Sequence, residues 1–242
     1  MARALQETID WPPLTHWQRQ DYASVWDSLA ASMNDAAMAA TGATNETGLR
    51  DSSAQTVQNL LELAGINSNQ EVLEIGCGVG RIAKAIAPRC RSWAGADISA
   101  NMLAHASERL KNLQNAHFIH LKTVGLSDVG ENSFDVVYAV NMLAHLDEVD
   151  RWHYVQEAFR VLRPGGRIFI DNMDMESDAG WSMFSKDAIR YRDVQRPPYM
   201  PRFSTAGEFT SYANRAGFVD TQVYRRSPLI IVTATKPGKA ST

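Results

Sequence analysis

Short apolar segments alternate with amphipathic segments along the chain beyond Gly65. The apolar segments are residues 72–75, 92–96, 117–119, 134–140 and 167–170. Between most of them lie amphipathic segments that are long enough to form helices, namely residues 81–87, 99–113 and 148–162. Buried strands that alternate with helices pair in parallel, because each return to the same sheet edge needs a right-handed crossover. The pattern predicts an α/β fold with a Rossmann-like, doubly wound sheet.

The last part of the chain has a different pattern. Residues 205–216 are expected to form a helix that ends at Gly217. Two apolar segments follow, residues 218–224 and 229–235, and only residues 225–228 separate them. Because so short a connection joins antiparallel strands, the sheet is expected to finish in an antiparallel C-terminal hairpin.

The N-terminal part predicts helices and a linker. Tyr22 and Trp26 stand at helical spacing within residues 17–33, which indicates an amphipathic helix. Residues 41–53 are polar and contain two glycines, so they are expected to form a linker. Residues 53–64 are expected to form the next helix, which a glycine ends. These patterns divide the chain into an N-terminal helical extension, residues 1–52, and one large domain, residues 53–242.

Composition excludes several classes of protein. The 242 residues are 45% hydrophobic and 21% charged with a net charge of -3, so no basic stripe indicates a nucleic-acid partner. Cys77 and Cys90 are too few for a disulfide framework and do not form a metal-binding pair, which favours a reducing cytoplasm. No segment has the roughly 18 consecutive apolar residues of a membrane span, and no export signal is expected.

A glycine-rich loop follows the first strand of the predicted sheet. Gly76, Gly78 and Gly80 stand where the strand gives way to a helix, and Glu74 precedes them by two residues. Glycine lets a backbone turn tightly and approach a ligand without side-chain collisions. A dinucleotide-binding loop would carry its third glycine at position 81, which is Arg81 here. The spacing therefore argues against a nicotinamide-dependent oxidoreductase.

An acidic residue ends the second predicted strand. The carboxylate of Asp97 is suited to accept both ribose hydroxyl protons of an adenosine, because an ionised carboxylate accepts hydrogen bonds and a hydroxyl donates them. A second interpretation is that Asp97 only caps the helix that begins near Ser99.

These features together resemble the class I S-adenosylmethionine-dependent methyltransferase family. The resemblance covers roughly residues 53–235 and rests on residues 72–81, Asp97, Asn141 and residues 162–167. It implies a seven-stranded sheet whose last strand is antiparallel. It also implies S-adenosylmethionine as cofactor, with S-adenosylhomocysteine as product. Residues 162–166 would only turn the chain into the fifth strand.

The resemblance also implies which residues bind the cofactor. Gly76, Gly78 and Gly80 would pass beneath it, Asp97 would hold the ribose, and Ile98 and Met102 would contact the adenine. The remaining candidates are Glu74, Cys77, Arg81, Val124, Gly125, Leu126, Asn141, Tyr22 and Trp26. Members of the family often carry an acid after the third strand, which this chain lacks. Main-chain groups of residues 124–126 are expected to contact the adenine instead.

The acceptor is expected near the end of the fourth strand. His145 is the candidate catalytic residue, because a neutral imidazole takes a proton from an attacking hydroxyl or amine. The alternative is that His145 caps or packs against the next helix. Tyr22, Trp26, Trp11 and Trp17 either form a lid over the cofactor or belong to ordinary core packing. Residues 181–202, rich in aromatics and prolines, form either a second wall of the acceptor site or a surface loop.

Asp171 and Asn172 follow the fifth strand, where some methyltransferases bind a metal ion. The partner carboxylate that such a site needs is missing, so no metal is expected and the pair is interpreted as polar lining of the acceptor site. The sequence predicts an enzyme, monomeric or homodimeric, that methylates an oxygen, nitrogen or carbon atom of a small molecule. The alternative is a non-catalytic, S-adenosylmethionine-binding regulatory module.

Overall fold

A seven-stranded sheet forms the centre of the molecule. The computed structural model describes residues 21–41 and 45–238. Within them the strands are β1 (Glu71–Ile75), β2 (Ser92–Asp97), β3 (Ala116–His120), β4 (Phe134–Ala139), β5 (Leu162–Met173), β6 (Val219–Arg226) and β7 (Leu229–Thr235), in the order β3-β2-β1-β4-β5-β7-β6. β7 runs antiparallel to both of its neighbours, β5 and β6, and the remaining pairs are parallel. The predicted sheet and its antiparallel hairpin are confirmed.

Helices cover both faces of the sheet. They are α1 (Tyr22–Leu29), α2 (Met33–Thr41), α3 (Glu46–Asn59), α4 (Ala83–Ile86), α5 (Ala100–Leu110), α6 (Glu148–Val161), α7 (Asp178–Arg190) and α8 (Ala206–Ala216). Ser99, Asp147 and Thr205 begin α5, α6 and α8, and each side chain accepts a hydrogen bond from a main-chain N–H of the first turn. The helices expected between the strands are therefore confirmed.

The expected linker, residues 41–53, is wrong over most of its length. Asn45 caps α3 by accepting the N–H of Gly48, and the helix continues through a π-helical turn, Leu60–Ala64, to Gly65. The sequence pattern did not predict the start of this helix because its first half is polar. The expected boundary between residues 52 and 53 falls inside α3, and the division of the chain there stays a prediction.

Two other segments also differ from expectation. Residues 162–166, expected to be a turn, already belong to β5, although the register with β4 shifts there and Gly165 has a φ of 82°. Residues 181–190, expected within a long insertion, form most of α7. Trp181 on this helix is 55% exposed, so it does not close a pocket.

The sheet separates two apolar cores. Leu73 of β1 faces one core, which contains Tyr154 of α6 and Phe209 of α8. Val72, the preceding residue, faces the other core together with Ile82. Because side chains alternate along a strand, β1 is buried on both sides and sits at the middle of the molecule. No helix within the described ranges is long and apolar enough to cross a membrane.

Strand order reverses between β1 and β4. From β1 the chain proceeds outwards to β2 and β3, then returns to pair β4 with the other edge of β1. Loops that leave the carboxyl ends of β1 and β4 in opposite directions open a crevice between them. The candidate site lies in this crevice.

Candidate active site

A cavity of about 860 Å³, including the part open to solvent, lies at the carboxyl ends of β1, β2 and β4. It brings together most of the residues that the sequence singled out. Those are Tyr22, Trp26, Glu74, Gly76, Cys77, Gly78, Arg81, Asp97, Ile98, Met102, Val124, Asn141 and His145.

The glycine loop presents bare backbone to this cavity. Gly76 has a φ of 71°, and a Cβ atom there would lie 2.2 Å from Cγ of Met142. Gly78 has a φ of 52°, and a Cβ atom there would meet nothing within 4 Å. The space beside Gly78 is therefore open to a ligand, whereas Gly76 is required by protein packing.

Asp97 connects the glycine loop to the helix that follows β2. Its Oδ2 accepts the N–H of Gly78 at 2.8 Å, and its Oδ1 accepts the N–H of Ser99 at 2.9 Å. Burial raises the pKa of the carboxyl group, and these N–H donors act in the opposite direction. The capping residue of α5 is Ser99, which accepts the N–H of Met102, so helix capping does not account for Asp97.

Glu74 is buried in the wall of the cavity. Its Oε2 accepts a hydrogen bond from the hydroxyl of Tyr138 at 2.7 Å, and that hydroxyl accepts the indole N–H of Trp93 at 3.1 Å. Burial raises the pKa of Glu74 to about 8, against the opposing effects of Tyr138 and the positive charge of Arg81. The carboxyl group is therefore readily protonated near neutral pH.

Asp171 supports the end of β4 from the neighbouring strand. Its Oδ1 accepts the N–H of Asn141, which has a φ of 56°, and burial raises the pKa of Asp171 to about 6. Asp171 and Asn172 are buried and do not line the cavity, so their interpretation as acceptor-site lining is wrong. Across residues 21–41 and 45–238, no three His, Cys, Asp or Glu residues are grouped to hold a metal ion.

His145 lies in a short 3₁₀ turn, Leu143–His145, at the far side of the cavity. Its ring meets the ring of Trp26 edge-on at a centroid distance of 4.8 Å. Burial lowers the pKa of His145 to about 4, although the main chain of Tyr199 opposes this, so the ring is neutral at pH 7. Its Nδ1 is buried and has no hydrogen-bond partner among the residues described. Asp147, not His145, caps α6.

The predicted helix over the cavity is present as α1. Tyr22 and Trp26 line the cavity, whereas Trp11 and Trp17 lie outside the described residues. Asp27 attaches the helix to α5: its Oδ1 accepts the hydroxyl of Ser99 at 2.6 Å and the N–H of Asn101 at 3.1 Å. The helix therefore contacts the start of α5 through Asp27 and the ring of His145 through Trp26.

Three of the predicted cofactor residues do not line the cavity. A Cβ atom at Gly80 would lie 3.0 Å from Leu110 of α5, and one at Gly125 would lie 2.5 Å from His153 of α6. Both glycines therefore serve the packing of helices. Leu126 is fully buried, and its N–H donates to Glu157 at 3.1 Å. Of residues 124–126, only Val124 reaches the cavity.

Other residues of the cavity were not singled out from the sequence. They are Val79, Leu121, Val140, Leu146 and Tyr154. Most of them are apolar neighbours of residues that were predicted, whereas Tyr154 projects from α6 and no local motif indicates it. None of residues 181–202 is part of the lining, although the main chain of Tyr199 contacts His145, so the expected second wall stays a prediction.

Comparison with known proteins agrees with this geometry. Residues 72–166, which include the glycine loop, Asp97 and the end of β4, match the family described as "Methyltransferase domain". Over these residues the chain is similar to the class I S-adenosylmethionine-dependent methyltransferase family. It is similar to 27-O-demethylrifamycin SV methyltransferase of Amycolatopsis mediterranei, with 30% identity over 150 residues, which are 60% of this chain and 53% of that protein. The chain spans about half the length of this and several other curated relatives.

Solved structures share the fold of this chain. One is phosphoethanolamine N-methyltransferase 2 of Haemonchus contortus in complex with phosphomonomethylethanolamine and S-adenosylhomocysteine, with a TM-score of 0.62, 17% identity and coverage of 85% of this chain and 60% of that one. Another is the [4+2]-cyclase SpnF, with a TM-score of 0.61, 17% identity and coverage of 78% and 82%. The fold is therefore shared by proteins that are named for different reactions, and it does not define the reaction of this chain.

The residues of the cavity fit the cofactor of the family. S-adenosylmethionine carries an adenosine, an amino acid group and a positively charged sulfur atom. The open space beside Gly78 admits a ligand next to the backbone, and two carboxyl groups, Glu74 and Asp97, line the same cavity. A ribose needs a hydrogen-bond acceptor, and a cationic ligand needs negative charge. Asp97 supplies the acceptor, and Glu74 supplies negative charge when its carboxyl group is ionised.

Proposed function

We propose that this chain transfers a methyl group from S-adenosylmethionine to an oxygen, nitrogen or carbon atom of a small molecule. The observation that carries the proposal is one cavity, lined by Glu74, Gly78 and Asp97 where β1 and β2 end and by His145 beyond β4, with Trp26 against it. The first set suits an adenosyl cofactor, and the second borders a space in which an acceptor can meet it.

Strand order separates the two ends. β2 and β4 flank β1 on opposite sides. Asp97, Ile98 and Met102 follow β2, so we assign the adenosine to that side. The residues that follow β4 border the acceptor. In the part of the chain that the structure describes, the cavity-lining residues after β4 are Val140, Asn141, Met142, His145, Leu146 and Tyr154. They include no carboxylate, lysine or arginine, which favours an acceptor that is uncharged where it contacts the protein.

Chemistry at the acceptor end depends mainly on alignment. When bound, S-adenosylmethionine supplies a methyl group on a positively charged sulfur, which is already a reactive arrangement. Asn141 and Met142 would orient the acceptor, because they border the cavity where β4 ends. Holding two reactants in line lowers the barrier by removing the entropy cost of their encounter.

His145 would accept a proton from a hydroxyl or amine acceptor. Its neutral ring has the required form, and its Nδ1 has no other hydrogen-bond partner within the described ranges. A pKa of about 4 makes the ring a weak base, so its assistance would be smaller than that of an ordinary histidine.

Helix α1 would act as the lid of the site. Tyr22 and Trp26 cover the cavity with aromatic rings, and the N–H of Asp147 donates to the hydroxyl of Tyr22 at 3.4 Å. Excluding water strengthens the interactions of Glu74 and Asp97 with a charged ligand. Cofactor and acceptor would share the space that Tyr22 and Trp26 cover.

Two experiments test the proposal. Calorimetry measures binding of S-adenosylmethionine, and a transfer assay follows its labelled methyl group into a metabolite extract. We expect the wild type to bind the cofactor and to label a small molecule. Asp97→Ala is expected to lose binding, because it removes an acceptor from the cavity and the two hydrogen bonds to Gly78 and Ser99. Asp193→Ala, an exposed site outside the cavity lining, is the matched control.

Each outcome separates the hypotheses. No heat on mixing wild type with S-adenosylmethionine contradicts the proposed cofactor site. Binding without transfer to any component of the extract favours the regulatory module. If Asp97→Ala binds as tightly as the wild type, the assignment of the ribose to Asp97 is wrong.

We further propose that the chain works in the cytoplasm as a monomer or homodimer and needs no nucleic acid. A net charge of -3 and two unpaired, buried cysteines support this assignment. Light scattering after nuclease treatment is expected to give the mass of one or two chains. A nucleic-acid-dependent larger assembly would contradict the assignment.

A further inference from the structure

Three buried side chains form a chain of hydrogen bonds that ends at the cavity. Trp93 of β2, Tyr138 of β4 and Glu74 of β1 are 0%, 0% and 2% exposed. The indole N–H donates to the tyrosine hydroxyl at 3.1 Å, and that hydroxyl donates to Oε2 of Glu74 at 2.7 Å. Only Glu74 of the three lines the cavity. The other two residues therefore act on a ligand only through Glu74.

The chemistry of the donors fixes the direction of these two hydrogen bonds. An indole N–H is a donor only, so the Tyr138 hydroxyl must accept from Trp93. Its own single proton then points to Oε2 of Glu74, the acceptor in contact with it. Any proton that Glu74 binds is consequently placed on Oε1. A hydroxyl held in this way stabilises the ionised form of the carboxyl group.

Several charged or titratable groups act on Glu74 from the elements around it. Arg81, which follows the glycine loop, favours the ionised carboxylate, whereas Asp97 at the end of β2 disfavours it. Cys77 and Tyr138 also interact electrostatically with Glu74, but burial raises their own pKa values well above the ordinary range, so they stay neutral. Burial of Glu74 itself outweighs the favourable contributions, which leaves its pKa at about 8.

We propose that Tyr138 is a positioning residue for cofactor binding. Its hydroxyl, oriented by Trp93, holds Glu74 at the cavity wall and favours the ionised form that a cationic ligand needs. This inference rests on the proposed function, since it takes S-adenosylmethionine as the ligand. It assigns a role to two buried residues that do not touch the ligand.

A dependence of affinity on pH follows from the proposal. Below pH 8 the free protein must release the Glu74 proton before a positive charge is accommodated in the cavity. The affinity for S-adenosylmethionine is therefore expected to rise with pH towards a plateau, by up to about tenfold per pH unit below the midpoint. Tyr138→Phe removes a group that lowers the pKa of Glu74, so the rise is expected to move to higher pH.

Titration calorimetry of the full chain with S-adenosylmethionine from pH 6 to pH 8.5 tests this inference. At pH 7 we expect Tyr138→Phe to bind about tenfold more weakly, which corresponds to a shift of one pKa unit in Glu74. Trp93→Phe should shift the profile in the same direction by less, and Glu74→Gln should flatten it. Tyr224→Phe, the same change at a partly buried tyrosine outside the cavity lining, is the matched control and should keep the wild-type profile.

Repeating the wild-type titration at pH 7 in two buffers with different ionisation heats counts the protons released on binding. This measurement needs no variant, so it decides the matter even if Tyr138→Phe does not fold. The proposal is supported if the wild type releases a proton on binding and the Glu74→Gln variant does not. Zero proton release by the wild type overturns it. A Tyr138→Phe profile that is unchanged, or uniformly weaker without a shift along the pH axis, also overturns it. Failure of the wild type to bind at any pH instead contradicts the proposed function.

Discussion

The main-chain N–H of Asn141 donates to Oδ1 of Asp171 across 2.7 Å, at the point where β4 ends in the cavity. Asn141 has a φ of 56°, in the left-handed region that costs a non-glycine residue on the order of 1 kcal/mol. The hydrogen bond from the adjacent strand holds it in that conformation. Arg81 lies close enough to interact electrostatically with Asp171 and so links this support to the glycine loop.

Asp171→Asn is expected to change how stability depends on pH. The pKa of Asp171 is raised to about 6 in the folded protein, so folding favours its protonated form. This contribution to stability is complete below the unfolded-state pKa near 4 and is lost as pH rises through 6. Between pH 4.5 and pH 7 the free energy of unfolding of the wild type should fall by about 2 kcal/mol relative to the variant.

Urea denaturation of both proteins across this pH range measures the difference. Asparagine keeps an oxygen for the N–H of Asn141 and cannot ionise, so the comparison isolates the titration of Asp171. Parallel stability curves would show that Asp171 does not titrate as described.

Gly76→Ala and Gly78→Ala should have opposite consequences. A methyl group at position 76 meets Met142 at 2.2 Å and also requires a positive φ, so we expect clear destabilisation. At position 78 it meets no protein atom within 4 Å, so the stability cost should be limited to about 1 kcal/mol of backbone strain. Because that methyl group occupies space in the cavity, Gly78→Ala should weaken binding of S-adenosylmethionine at least about tenfold.

Thermal unfolding measures the stability of the two variants, and calorimetry measures their affinity for S-adenosylmethionine. The reverse ranking, with Gly78→Ala the less stable protein and Gly76→Ala the weaker binder at equal folding, would show that the open space beside Gly78 is not where the cofactor lies.

Asp27→Ala should detach the lid helix α1. It removes the acceptor for the hydroxyl of Ser99 and for the N–H of Asn101, two of the contacts that attach α1 to α5. We expect faster amide exchange in residues 22–29 and faster dissociation of S-adenosylmethionine in stopped-flow measurements. Asp51→Ala, an exposed aspartate on α3, is the control. Unchanged exchange in α1 would mean that other contacts hold the lid.

Arg160→Met should loosen the loop after β3. The guanidinium of Arg160 donates to the carbonyl oxygens of Leu126 and Val129 at 2.7 and 2.8 Å and pairs with Glu157, which accepts the N–H of Leu126. Val124 on this loop lines the cavity, so its position depends on that attachment. We expect a few-fold loss of affinity for S-adenosylmethionine, with faster amide exchange in residues 121–129. Equal affinity would show that the loop contributes little to binding.

Local patterns in the sequence predicted the sheet and the cofactor end of the cavity. The strand before Gly76 and the acid at Asp97 are adjacent in space because parallel strands end at one edge of the sheet, and this follows from topology alone. The left-handed φ angles at Gly76 and Gly78 likewise correspond to the residue type.

Contacts between distant segments were not predictable in the same way. Nothing near Tyr138 in the sequence indicates that its hydroxyl reaches Glu74, 64 positions away. Gly80 and Gly125 were assigned to ligand binding because glycine permits the close approach of either a ligand or a helix. The structure distinguishes the two roles, since Leu110 lies against Gly80 and His153 lies against Gly125. Helix α3 was missed because propensity is weak in its polar first half, and the capping by Asn45 determines where it starts.

Trp26 stands edge-on to His145 in the cavity lining, so this protein carries its own optical probe. Indole emission depends on the polarity around the ring, and a molecule that fills the cavity replaces solvent beside Trp26. Among the other tryptophans that the structure describes, Trp93 is enclosed in the core, Trp152 packs against Tyr212 and Trp181 is exposed on α7. None of these three lines the cavity. Fluorescence of the unlabelled chain should consequently follow ligand arrival in real time, and substitution of Trp26 by phenylalanine should remove that signal.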